Sequence, residues 1–442
     1  MPPKLTLVRP PSTTNLWVNF TGIICFFLGV YLVAQFFPSA PAHIKGIVGS
    51  ISAALPIVLY ELLVAKVHKN PSAKLGARND LNLVRVGIKL LGLLGTFGVI
   101  AFFYWLFPEY RKNFFDPFWK SVYLGLPVLL LFSVYYFVEV DIRMEKPEDG
   151  YWHMGQLMLF NFKPVKARVL AEHFRAWTVK AFFLPLMYVY MIQNFDFLMY
   201  FDYAADINFM RAYDYLYNFV FTIDVAFASL GYIMTLRFTD YHIRSAEPTM
   251  VGWATAIMCY SPFWSAVFYG SYFAYNDNLY WAEFTGSNPV LQVMWGSVIL
   301  LSIAIYSLAT VALGCRFSNL TYRGLVTNGP YRFTKHPAYL SKNLSWWLIS
   351  IPFIITVDWQ TSLRQCVMLL GVNFIYYVRA RTEENHLSNY PEYVQYAHWM
   401  NENGIFRFIN KWVPYLKYSE ERAKASGSVV WWKKVEGYKD GY

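Results

Sequence analysis

The sequence predicts an all-α, polytopic integral membrane protein with about ten transmembrane helices and both termini in the cytoplasm. Three observations predict it. Of 442 residues, 56% are hydrophobic and only 15% charged, where globular domains carry about 25% charge. Ten apolar stretches approach the ~20 residues a helix needs to cross a ~30 Å hydrocarbon core. The loops between them alternate in charge character. With 20% aromatic residues, the chain cannot cover itself with polar surface in water. That excludes a disordered chain, a collagen-like one, a disulfide scaffold and most soluble enzymes.

In chain order the stretches are Leu16–Phe37, Ile44–Val67, Val84–Phe107, Trp119–Val140, Trp177–Tyr200, Leu216–Leu236, Val251–Tyr275, Pro289–Leu313, Tyr339–Val357 and Ser362–Val378. The first is too long for a signal-peptide core and lacks a small-residue cleavage site, so it reads as a retained span. The ninth carries Ser341, Lys342, Asn343 and Pro352, which predicts a bent or partly embedded helix. A turn at Asp358-Trp359-Gln360 joins it to the tenth as an antiparallel hairpin.

Loop charges set the sidedness. Lys4 and Arg9, Lys69, Lys74 and Arg78, Lys163 to Arg175, Arg237 and Arg244, and Arg316 to Lys335 fall on one side, the predicted cytoplasm. Asp202, Asp206, Asp214, Asp277 and Glu283 fall on the other, and the third loop, with Arg111 and Lys112, departs from the pattern. The fourth loop holds an amphipathic segment near 163–176, expected as an interfacial helix. The tail 401–442, with Trp412, Tyr415, Tyr418, Trp431 and Trp432 among lysines, suits a membrane surface. The chain thus divides into an N-terminal membrane region (1–288), a C-terminal membrane domain (289–400) and this tail.

The net charge of +10 is explained by topology and lipid head groups, with no need for nucleic acid. Cys25, Cys259, Cys315 and Cys366 are too dispersed for a disulfide framework or a metal site. Glu61, Asp196 and Asp224 lie within spans but have no companion at helical spacing, which favours structural roles. The sixth loop, Arg237–Pro248, packs Asp240, His242, Arg244 and Glu247 into eight residues. A salt-bridged turn is its first reading and closure over a ligand its second.

Chemistry-bearing residues concentrate in the last third. Between spans eight and nine the chain reads Gly329-Pro-Tyr331-Arg332-Phe-Thr-Lys335-His336-Pro337-Ala-Tyr339-Leu340. After span ten it reads Arg379-Ala-Arg381-Thr-Glu383-Glu384-Asn-His-Leu-Ser-Asn-Tyr-Pro-Glu-Tyr-Val-Gln-Tyr396. The hairpin between them brings both onto one side. Guanidinium groups, a carboxylate pair, an imidazole and aromatic faces suit a zwitterionic, aromatic cofactor.

These two segments, in this order and spacing, resemble the isoprenylcysteine carboxyl methyltransferase and phospholipid methyltransferase superfamily, and Gly314-Cys-Arg-Phe resembles the segment preceding them there. The resemblance implies a membrane-embedded methyltransferase that uses S-adenosylmethionine on an amphiphilic, lipid-like or isoprenylated acceptor, a carboxylate or an amine. It implies cofactor contacts at Tyr331, Arg332, His336, Pro337, Tyr339, Leu340, Arg379, Glu383 and Glu384. Arg316, Arg379 and Glu384 are the candidate catalytic residues: Arg316 to steer a carboxylate acceptor, Glu384 to take a proton from an amine. Cofactor entry is expected from the cytoplasm and acceptor entry from the lipid. Two other readings stand beside this one: a sterol-reductase-like NADPH-dependent oxidoreductase of similar span number, and a non-catalytic scaffold or lipid-binding subunit.

Overall fold

The structure, a computed structural model, describes residues 8–426 except 206–207, 270–272, 277–279, 287 and 356–357. Lys4, Asp206, Asp277, Val357, Trp431 and Trp432 therefore lie outside the described residues. The first four long helices are α1 (Leu16–Phe36), α2 (Ala42–Leu59, continued by a π turn at Tyr60–Val64), α3 (Leu83–Leu106) and α4 (Asp116–Asp141). There follow α5 (Gly150–Met158), α6 (Ala167–Met199), α7 (Phe209–Ile233), the strand β1 (Ser245–Ala246), α8 (Met250–Ile257), α9 (Phe263–Phe268) and α10 (Trp281–Thr285). The C-terminal part comprises α11 (Pro289–Leu313), β2 (Thr321–Tyr322), α12 (Pro337–Ser350), α13 (Trp359–Leu387), α14 (Pro391–Asn403), α15 (Ile409–Trp412) and α16 (Glu420–Ser426). Starts are set by side-chain caps: Asn15, Asn82, Asn208, Asn288 and Asp358 each accept a backbone N–H of the first turn.

The protein is a multi-pass membrane protein, and seven helices among the described residues are long and apolar enough to span. They begin at Leu16, Ala42, Leu83, Asn113, Ala167, Phe209 and Pro289. In α6, α7 and α11, 56% of the span window is buried, against 11–33% in the first four. The three thus form an inner layer, and α1–α4 carry much of the lipid-facing surface. The central core joins Phe26 and Ile57 to Phe183, Met191, Phe227 and Val311.

The other three predicted spans differ. The seventh breaks at Ser261-Pro262 into the short α8 and α9, because proline removes a helical N–H. The ninth is the 14-residue α12, about 21 Å long at 1.5 Å per residue, ending at Ile351 before Pro352. The tenth lies inside the 29-residue α13, whose polar C-terminal turns carry Arg379 to His386. The predicted interfacial helix is no separate element: nothing near Arg175-Ala-Trp177 breaks the helix, so it forms the first turns of α6. Strands β1 and β2 add one short antiparallel pairing to an otherwise helical fold, Ser245 opposite Tyr322 and Ala246 opposite Thr321.

Polar contacts fix the outer helices. Lys89 and Asp141, both fully buried, pair at 2.8 Å, and Arg85 reaches the same carboxylate at 2.7 Å. Glycines let α3 and α5 approach closely: a Cβ on Gly92 would lie 1.9 Å from the Tyr151 carbonyl oxygen. The N-terminal segment is tied into the C-terminal part. Thr13 donates its N–H to the Leu325 carbonyl (2.9 Å), and Thr14 its hydroxyl to that of Ala312 (2.7 Å).

Candidate active site

The site grows out of the end of α11. Gly314 stops the helix at φ +55, and a Cβ there would meet the Asn19 side chain at 2.5 Å. The following loop pairs with β1 and returns through a 3-10 turn at Gly329–Arg332. His336 then precedes α12, with Pro337 in its first turn, where a missing N–H costs nothing. Asn343 and Trp347 of α12 bond Asn373 of α13, which aligns the two helices as an antiparallel hairpin.

This hairpin closes a cavity of about 100 Å³ against the loop after α11. Six predicted site residues line it: Tyr331, His336, Pro337, Tyr339, Arg379 and Glu383. The Tyr339 hydroxyl donates to Glu383 Oε2 at 2.6 Å, and the Tyr339 and His336 rings stack with centroids 5.4 Å apart. Glu383 keeps 43% of its side chain exposed. Arg379 is buried, donates to Asn319 Oδ1 at 2.6 Å and lies 4.9 Å from the Tyr339 ring centroid. It has no carboxylate partner among the described residues, so an uncompensated guanidinium faces the same space as the partly exposed Glu383 carboxylate, which Tyr339 holds by one oxygen. That arrangement suits a zwitterion.

Four predicted residues lie elsewhere. Glu384 is buried beneath the cavity, held by Lys335, by His336 Nε2 at 3.1 Å and by Arg381 at 2.8 Å. Burial alone would raise its carboxyl, but Lys335 and His336 outweigh it and hold the group down at about 2. Glu384 therefore pins the His-Pro turn and has no free oxygen for a ligand's amino group. Arg316 is spent on structure: Nη1 donates to the carbonyls of Asp240 and Arg323, both at 2.6 Å, and Nη2 lies 3.4 Å from Asp240 Oδ2. The predicted salt-bridged turn in the sixth loop forms around this Asp240, with Arg244 at 3.1 Å. Arg332 and Leu340 point into a separate groove.

That groove measures about 1200 Å³ and runs between the start of α1, the π turn of α2, α11 and α12. Its walls include Trp17, Ile305, Leu308, Leu340 and Leu344, with Arg9, Glu61 and Arg332 as charged members. Pro337 lines both the groove and the cavity, so they flank the same turn of α12.

Sequence reasoning missed several cavity residues. Asn319 orients Arg379 and is itself bonded to Tyr232 and Tyr260. Tyr260, Tyr306, Lys342, Thr382, His386 and Glu247 also line the cavity. The crowding of ionisable residues in the sixth loop was a signal for Glu247. Tyr260, in the bend between α8 and α9, and Tyr306, in the apolar α11, gave none.

Comparison with known proteins adds one finding. Residues 291–389 match the isoprenylcysteine carboxyl methyltransferase (ICMT) family. The matched segment is about a fifth of the chain and carries α11, the loop, the His-Pro turn, α12 and α13. Every predicted site residue falls inside it. The match implies a membrane methyltransferase; the long helical region before it precedes the ICMT-like part. No curated protein and no solved structure matches the chain.

Proposed function

We propose that the protein is an S-adenosylmethionine-dependent methyltransferase acting on an amphiphilic acceptor at the membrane. The observation that carries this reading is that Arg379, which has no carboxylate partner among the described residues, and Glu383 line one cavity of the ICMT-like segment. The cofactor's amino-acid end is a zwitterion, and these two groups offer its counter-charges. The rings of Tyr260, Tyr306, Tyr339 and Tyr376 line the same space and suit a cationic sulfur and an aromatic base. The donor set therefore fits the cofactor's charges and rings, and the cavity of about 100 Å³ has to widen to take the whole molecule.

When bound, the cofactor supplies an activated methyl group. The protein's own task is to hold the nucleophile in line and exclude water. Arg379 and Glu383 orient the cofactor, and the Glu384 network keeps His336 and Tyr339 in register with them. A carboxylate acceptor is ionised near neutral pH and needs no base, whereas an amine must first lose a proton. Arg316 and Glu384 do not line the cavity, so neither steers the acceptor nor takes its proton. The apolar groove on the other side of Pro337 offers an acceptor tail a lipid-facing approach. The loop charges favour a cytoplasmic cofactor entrance.

Isothermal titration of the purified protein with S-adenosylhomocysteine tests the reading. Saturable 1:1 binding is expected. Folded protein that takes up no heat refutes it.

A further inference from the structure

Glu247 comes from the loop before α8, outside the ICMT-like segment, yet it lines the cavity and is only 3% exposed. Two features hold its side chain there. Oε1 accepts the backbone N–H and the hydroxyl of Thr249. Gly252 of α8 backs the chain closely: a Cβ there would lie 2.5 Å from Glu247 Cγ. Oε2 makes no hydrogen bond among the described residues, and its nearest ionisable neighbour is His386 Nδ1 at 3.7 Å.

His386, on α13, lines the same cavity. Its Nε2 is engaged with Ser245 Oγ at 2.8 Å, and Ser245 is in turn bonded by Tyr390 at 2.6 Å. Burial, helped by Arg175, lowers the imidazole to about 4, so the ring is neutral near pH 7. The result is a fixed carboxylate oxygen and a neutral ring nitrogen, side by side, each with hydrogen-bonding capacity left over. Because both residues line the cavity, this oxygen is open to a bound molecule, and an acceptor with no donor of the protein's own suits a ligand rich in hydroxyl donors. Carboxylates bind the ribose hydroxyls of nucleotide cofactors in this way.

We propose that Glu247 is a cofactor-binding residue that holds the ribose hydroxyls, with His386 as its neighbour in the same subsite. The assignment rests on the methyltransferase reading above. It makes the N-terminal region part of the cofactor site, through the sixth loop that the β1–β2 pairing lays over the C-terminal helices.

The test is titration of the full-length protein and two variants with S-adenosylhomocysteine, and with methylthioadenosine in competition against it. Methylthioadenosine keeps the ribose and lacks the amino-acid end. Glu247→Gln keeps an oxygen for Thr249 and is expected to weaken both ligands by roughly 10- to 100-fold. Gly252→Ala, which displaces the carboxylate without removing its charge, is expected to weaken both as well. Melting curves of the variants matching the wild type exclude a folding defect. If Glu247→Gln weakens S-adenosylhomocysteine but spares methylthioadenosine, Glu247 binds the ammonium group and the ribose assignment is wrong. Unchanged affinity for both ligands overturns it too, as does a wild type that binds S-adenosylhomocysteine but not methylthioadenosine. Failure of the wild type to bind S-adenosylhomocysteine counts against the function itself, so the two failures are distinguishable.

Discussion

Glu384→Gln is the substitution whose consequence the structure sets most tightly. The carboxylate is 4% exposed and accepts from Lys335, His336 and Arg381. Holding the group at about 2 instead of its ordinary 4.5 corresponds to about 3 kcal/mol of stability near neutral pH. Mutational loss of one partner in a buried ion pair costs a similar ~3–5 kcal/mol. The sign follows from the lowered value: this stability is fully present above pH 4.5 and is lost as pH falls toward 2. SDS-driven unfolding of the detergent-solubilised protein, followed by tryptophan emission, measures it. The variant is expected to be less stable by about 3 kcal/mol at pH 7 and to lack the wild type's loss below pH 4.5. A variant within about 1 kcal/mol of the wild type at pH 7, with an unchanged acid response, refutes the assignment of Glu384 as the pin of the His-Pro turn.

Three further predictions follow from the same geometry. Arg379→Lys keeps the charge but not the planar fork, and should weaken S-adenosylhomocysteine at least about tenfold by calorimetry; unchanged affinity removes Arg379 from the site. His386, lowered to about 4, should make the protein lose stability as pH falls from 6.5 toward 4, because the unfolded chain takes up that proton first. His386→Gln should flatten this part of the pH–stability curve, and an identical slope argues against a buried neutral imidazole. Lys89→Met takes the fully buried partner from Asp141 but leaves it Arg85, and should cost less than the ~3–5 kcal/mol of a wholly unpaired buried charge in SDS unfolding. Asp141→Leu takes the shared carboxylate from both Lys89 and Arg85 and should cost more than Lys89→Met; a smaller loss refutes Asp141 as the shared anchor of the two cations.

Apolar length made the first six spans and α11 legible, since a run of ~20 apolar residues has few alternatives to a membrane helix. The same criterion overreached where local chemistry opposed it. Pro262 splits the seventh stretch, and Ile351-Pro352 ends α12 after 14 residues. Helical spacing found the start of α6 but read it as separate, because amphipathicity marks a face and not an end. In the site, the two motif segments were legible as a pair. Which carboxylate of Glu383-Glu384 faces the cavity was not, since adjacent residues on a helix point in directions about 100° apart.

By itself, the sequence determined the class of the protein, the position of most spans and the two segments that meet at the site, because composition and spacing carry that information locally. Tertiary structure alone decided the roles within them. Lys335, His336 and Arg381 surround Glu384, while Glu383 stays open. Arg316 is consumed by carbonyls 76 and 7 residues away in the chain. Glu247 reaches the cavity from a loop that the motif does not contain. Each of these depends on which partner a charged group meets after packing, and burial makes the outcome matter, because a charge left without a counter-charge inside is costly and, as at Arg379, marks a place for a ligand to supply one.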